Sequence, residues 1–205
     1  PAPVPPPIDI APTTPLFEEE QTYKMAGPDG MGFDIADRWP GARGAHVLVS
    51  DVEYGFDPEH EALNSIDIPM LGHPSDWYQF HGNGVLGIMA SPPEDYGITG
   101  LISDAQFTIV SPFTAPDVYN VADAINLAAS ELVAGDVLLI EQQGWVSDTF
   151  TPVEIYPEIF DAIAAAVAQG IVVIEPAGNG GCDLDDPVWE GWFDREVRDS
   201  GAIIV

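Results

Sequence analysis

The feature that most constrains this chain is a repeated alternation, from Gly44 onward, of short continuous apolar runs with amphipathic stretches of helical period. Ala45–Asp51 (AHVLVSD), Gln106–Ser111 (QFTIVS), Asp136–Ile140 (DVLLI), residues 171–174 (IVVI) and a run beginning at Ala202 lack the in–out alternation of a half-exposed strand. Between them, apolar residues at 118, 121, 122, 125, 128, 129 and 132 form one helical stripe. A second helix is expected over Ile155–Ala168, where Ile159, Ile163 and Val167 are spaced by four and Gly170 closes the element. Val85, Ile88 and Met89 carry the same period after His81. Strands that are apolar on both sides and joined by helices predict an α/β fold, a parallel sheet with helices on both faces. Functional residues in such a sheet lie just beyond the carboxyl ends of the strands.

Charge narrows the partners. With 34 acidic residues against 5 Lys plus Arg, the formal net charge is −29, and the basic residues are too few and too scattered to hold nucleic acid or an anionic membrane surface. At 46% hydrophobic residues the chain still has material for a core, unlike an acidic disordered segment. The single Cys182 rules out an internal disulfide. Neither an apolar run of 18 residues nor a signal-peptide pattern occurs. The acidity reads as the coat of an extracellular, secreted protein. Residues 1–15 carry seven prolines, favouring extended backbone, so residues 1–22 read as a linker or wrapped arm and 23–205 as the folded unit.

Beyond the apolar runs stand Asp51, then Glu141-Gln142-Gln143-Gly144, then Pro176-Ala177-Gly178-Asn179-Gly180. His81-Gly82-Asn83-Gly84 opens the helical segment between the first two runs. An Asp that fixes an imidazole tautomer, a His that acts as base and an Asn amide that donates to an oxyanion form the set that acyl-transfer chemistry uses. Taken singly, Asp51 is equally suited to capping a turn, His81 to a helix-terminal hydrogen bond and Gly178-Asn179-Gly180 to a tight turn. His46 reads as a core histidine on the first strand. No H-E-x-x-H, paired C-x-x-C or phosphate loop occurs, which leaves zinc and nucleotide chemistry without support.

Order and spacing of these blocks resemble the subtilisin-like serine proteases over residues 40–205. VLVSDVEYGFDPEHEAL is similar to the segment around that family's catalytic Asp, with Asp51 matching the acid and His60 the histidine of S-H-P-D-L, although two residues too many separate them. HGNGVLGIMASPPEDYGITG resembles the catalytic-His helix, placing the base at His81. GDVLLIEQQGW is similar to the substrate-binding strand, so that Glu141, Gln142, Gln143 and Gly144 would line the peptide. GIVVIEPAGNGG resembles the oxyanion stretch, with Asn179 as donor beside Ala177 and Gly178.

The resemblance implies the N-terminal part of a serine endopeptidase domain, needing no cofactor for its chemistry. Structural calcium is conceivable at residues 91–97, where Glu94 stands, or in the acidic 182–187 turn. The family's nucleophile motif, G-T-S-x-A/S-x-P, does not occur in these 205 residues. The expectation is therefore that the chain alone is inert and that a second chain or C-terminal fragment carries the Ser; the alternative is a non-catalytic binding module that keeps the cleft. Glu141 and Glu175, near the expected subsite walls, suggest a preference for basic substrate residues, the alternative for Glu175 being that strand alternation points it away from the pocket.

Overall fold

The computed structural model describes residues 13–75 and 78–205, so most of the Pro-rich stretch lies outside the described residues. In chain order the helices are α1 (Phe33–Ala36), α2 (Gln79–Ala90), α3 (Val121–Glu131) and α4 (Pro157–Ala168). The strands are β1 (Leu48–Val52), β2 (Met70–Leu71), β3 (Gln106–Val110), β4 (Phe113–Ala115), β5 (Val118–Tyr119), β6 (Val137–Ile140), β7 (Gln143–Val146), β8 (Thr149–Pro152), β9 (Val172–Glu175) and β10 (Ile203–Ile204). Six of them form one sheet in the order β10-β9-β6-β1-β3-β2, parallel throughout. β4–β5 and β7–β8 are separate antiparallel hairpins. Among the described residues no helix is long and apolar enough to cross a membrane.

Both faces of the sheet are covered, as continuous apolar runs require. On one face Val52, Val110, Leu138, Ile140 and Val173 pack against Ala124, Ile125 and Ala128 of α3 and Ile159 and Ile163 of α4. On the other, Val49, Phe107 and Ile109 pack against Leu86 and Ala90 of α2. The expected 118–132 helix is shorter at its start because Asn120 caps it: its side chain accepts from the Asp123 N–H (3.1 Å), while Val118–Tyr119 pairs with β4. Pro157 at the first turn similarly moves the start of α4 from the expected Ile155. His46 is not the core histidine expected: it precedes β1, exposed and at φ 70°. Residues 15–21 lie along the 97–99 segment through Phe17 N–H to Gly97 O (2.7 Å) and reciprocal bonds between Gln21 and Thr99.

Two carboxyls stand out within this frame. Asp136, at the start of β6, accepts the Leu48 N–H (3.0 Å) and the Val133 N–H (2.9 Å), pinning the entry of β1 to the turn after α3. Asp51 is the opposite case. It sits inside β1 between Ile109 and Leu139, is fully buried, and neither oxygen has a hydrogen-bond partner among the described residues. Burial, with the charges of Glu141 and Glu53 adding to it, pushes its carboxyl well above the ordinary range.

Asp136→Ala removes the side-chain acceptors of the Leu48 and Val133 N–H groups and is expected to cost about 2–3 kcal/mol in denaturant unfolding. For Asp51 the folded chain holds a proton that the unfolded chain releases near pH 4, so this group's contribution worsens as pH rises above that value. Asp51→Val should therefore raise Tm by more at pH 8 than at pH 4, by about 1–3 kcal/mol in stability at the higher pH.

Candidate active site

Side chains alternate along a strand, so Val49, Asp51 and Glu53 all face α2. Glu53 lies just past the end of β1, where its N–H still donates to Val110 O (3.1 Å). Its side chain is 1% exposed, with Oε1 accepting the Tyr54 N–H (2.6 Å) and Oε2 paired with Nδ1 of His81. His81 occupies the first turn of α2, and 46% of its side chain is open to solvent. The structure thus brings His81 to Glu53 and not to Asp51, which stays one pleat deeper without a partner. With Glu53 as acceptor, Nδ1 carries the proton and Nε2 is the basic, outward nitrogen.

The approach of α2 to β1 depends on an absent side chain. A Cβ on Gly82 would lie 2.2 Å from Gly55 O and 3.2 Å from Glu53 Cγ. Asn83 adds a tie, its Oδ1 accepting the Asp57 N–H (2.8 Å). His60 lies in an exposed turn, where its Nδ1 accepts the Ala62 N–H (3.2 Å).

On the next strand, Val52 registers with Ile140, so Glu53 and Glu141 are neighbours beyond the carboxyl ends of β1 and β6. Glu141 is half-buried. Desolvation raises its carboxyl, nearby His81 opposes this, and Glu53 adds a smaller upward push. Gln142 and Gly144 are buried inside the protein: the Gln142 amide donates to Val52 O (3.3 Å) and accepts from Tyr119 OH (2.6 Å), and Gly144 lies against Ile155 and Thr151. Gln143 reaches across to the glycine-rich turn, its Oε1 accepting the Asn179 N–H (2.9 Å).

That turn follows β9. Ala177 and Gly178 are half-buried and Asn179 is exposed. Gly178 has φ 92° and leaves no room for a Cβ, which would meet Thr151 N at 2.7 Å. Glu175 does not form a subsite wall. Fully buried on the opposite side, it accepts the Glu154 N–H (3.3 Å), and desolvation, with the Glu154 charge behind it, holds its carboxyl up. A cleft of about 520 Å3 shares Gln143 and Tyr119 with this mouth and extends to Trp145, Tyr156 and Ile159. Among the described residues no group of three or more His, Cys, Asp and Glu side chains is placed to hold a metal ion.

The Glu53–His81 pairing was missed because Asp51 and Glu53 are two residues apart on one face. Two signals point to Glu53: starting from it removes the two-residue excess before His60, and Gly55 stands two residues after it, the spacing of the D-S/T-G pattern.

No protein-family model matches the sequence. An intracellular serine protease of Paenibacillus polymyxa is 27% identical over 214 residues, covering 96% of this chain. The chain spans only 61% of that relative's length. This intracellular relative overturns the expectation of a secreted protein, which rested on acidity alone. Among solved structures, the subtilisin-like protease Apa1 from the Antarctic psychrotroph Pseudoalteromonas sp. AS-11 superposes with TM-score 0.56 at 21% identity, over 73% of this chain and 36% of its own. The self-cleaved protease domain of PatA gives 0.54 at 19% identity, over 68% and 52%. The prenylagaramide maturation protease PagA gives 0.54 at 20%, over 74% and 52%. With a six-stranded parallel sheet covered by helices on both faces, the chain has the subtilisin-like α/β fold.

Proposed function

We propose that these residues supply the acid, base and oxyanion donor of a serine endopeptidase, and that Glu53 rather than Asp51 is the acid. The observation that carries this is the pairing of buried Glu53 with Nδ1 of a half-exposed His81 at the carboxyl edge of a parallel sheet. The likeness to proteases of the same fold supports the reaction class. No serine of these 205 residues stands in a G-T-S-x-A/S-x-P setting. The nucleophile is therefore assigned to residues outside them, on a further segment or a second chain, and these residues alone would be inactive.

In this reading Nε2 of His81 takes the proton of the serine hydroxyl as its oxygen bonds to the scissile carbonyl carbon. Glu53 keeps the proton on Nδ1 and stabilises the imidazolium that forms. The carbonyl π electrons move to oxygen, and the Asn179 side-chain amide donates to that oxyanion. Collapse expels the leaving amine, which takes the proton back from His81. Water then repeats the sequence on the acyl-enzyme and releases the second product. Gln143 contributes indirectly by holding the Asn179 backbone.

The test is labelling of the intact gene product by a fluorophosphonate probe, together with peptide hydrolysis. His81→Ala and Glu53→Gln should each lower the labelling rate by about three to four orders of magnitude, while Asp51→Asn should stay within about tenfold of the parent. Loss on Asp51→Asn with retention on Glu53→Gln would overturn the assignment of the acid. Absence of labelling in the parent protein would overturn the protease reading itself.

A further inference from the structure

Two glutamates that the proposed reaction does not use meet beneath the turn that carries Asn179. Glu175 ends β9, Glu154 lies in the turn leaving β8, and both are buried. The Glu154 N–H donates to Glu175 Oε2 (3.3 Å), and the Ser200 hydroxyl, from the segment entering β10, donates to Glu154 Oε2. Glu175 Oε1 has no partner among the described residues. Arg198 supplies a positive charge: its guanidinium donates to Glu154 O and stacks on Phe160 and Trp192. The other charges around the pair face outward. Glu158 and Asp161 are exposed on α4, with the Asp161 charge acting on Arg198, and Asp199 turns to Arg195. β6 and β10, on either side of β9, bring no titratable side chain, and Glu141 past the end of β6 lies on the other face.

Two carboxyls and one guanidinium balance when a single proton stays on the pair. Its loss leaves an uncompensated charge in a desolvated place, which is costly. Burial, and then the Glu154 charge, hold the Glu175 carboxyl above its ordinary range.

The same two stretches of backbone also support Asn179. Cβ atoms on Gly178 and Gly180 would fall 2.7 Å from Thr151 N and 2.2 Å from Phe150 O, so the glycine-rich turn lies directly on β8. Gln143, paired with Pro152 across the β7–β8 hairpin, accepts the Asn179 N–H (2.9 Å). Residues 150–154 and 175–180 therefore run side by side, with the glutamates at one end of the contact and Asn179 at the other.

We propose that Glu154 and Glu175 are positioning residues for Asn179, a buried latch that keeps the glycine-rich turn seated on the β7–β8 hairpin. This rests on the reading of Asn179 as the oxyanion donor. While the pair keeps its proton the latch is closed. Once alkaline solution removes it, like charges oppose each other, and parting the two segments admits water and carries Asn179 out of place. The unfolded chain releases this proton near the ordinary glutamate value and the folded chain holds it longer, so the pair's contribution to stability falls as pH rises between the two.

The experiment measures kcat and KM of the intact gene product on one peptide from about pH 6 to about pH 10. The parent should lose about tenfold or more in kcat on the alkaline side with KM little changed, because the oxyanion contact is made only in the transition state. Glu175→Gln keeps an acceptor for the Glu154 N–H but cannot ionise. It should abolish the alkaline fall and leave the rise on the acid side, which belongs to His81. Glu154→Gln serves the same purpose if Glu175→Gln does not fold. Asn179→Ala, already without the donor, should fall by less than about threefold over the alkaline range. Asp51→Asn should fall as the parent does. An alkaline fall that persists in both glutamate variants, or that disappears in Asp51→Asn, would overturn the proposal. So would a Glu175→Gln variant slowed by one factor at every pH, the mark of a merely structural residue. If the parent cleaves nothing, the protease reading fails and hydrogen exchange decides the latch by itself. Protection factors over 175–181 that drop at alkaline pH in the parent and not in Glu175→Gln uphold it; protection independent of pH in both ends it.

Discussion

The site depends on how closely α2 can lie against the turn leaving β1. Gly82 and Gly55 meet backbone to backbone, and even a methyl group on Gly82 would overlap the Gly55 carbonyl. Strand and helix are individually ordinary, with apolar faces that each core cluster accounts for. Their separation at this one point sets whether the His81 ring and the Glu53 carboxylate share a hydrogen bond. A histidine on the first turn of a helix has many orientations open to it. The buried carboxylate selects one ring orientation and one tautomer.

Three carboxyls, Asp51, Glu53 and Glu141, crowd the same side of two neighbouring strands, and their surroundings divide them. Asp51 is buried in register with Ile109 and Leu139, and burial, with the charges of Glu141 and Glu53 behind it, pushes its carboxyl well above the ordinary range. Glu53 has an imidazole and a backbone amide. Glu141 sits half in water, under opposing influences from His81 and Glu53. One face of a sheet therefore gives three carboxyls three different surroundings, one desolvated and unpartnered, one hydrogen-bonded and one half in water, without any of them moving.

The sheet and its three long helices were legible because burial on both faces writes itself into the chain as unbroken apolar runs and helical stripes. What escaped was short or long-range. β2 is a two-residue strand, and the β4–β5 and β7–β8 hairpins join segments of mixed polarity whose pairing follows from turns at Asp117 and at Ser147–Asp148, all at positive φ, residue types that carry that backbone only by exception. Asp51 stands out in the sequence because an apolar run ending in Asp looks like a strand end. The strand runs one residue further, and the packing of α2 brings Glu53 to the histidine. Gln142 resembled a cleft residue by position, yet alternation turns it inward to bond Val52 and Tyr119. The direction of Glu175, which the sequence leaves open because side chains alternate along a strand, is away from the pocket, where it faces Glu154.

Gln143 belongs at once to the cleft wall and to the turn that presents Asn179, through a single hydrogen bond. Cleft and turn are consequently not independent parts. A molecule that fills the cleft and rotates the Gln143 amide leaves the Asn179 N–H without its acceptor, and one that leaves the amide alone preserves the turn. The shape of whatever occupies the cleft is thereby transmitted, one bond away, to the glycine-rich turn that carries Asn179.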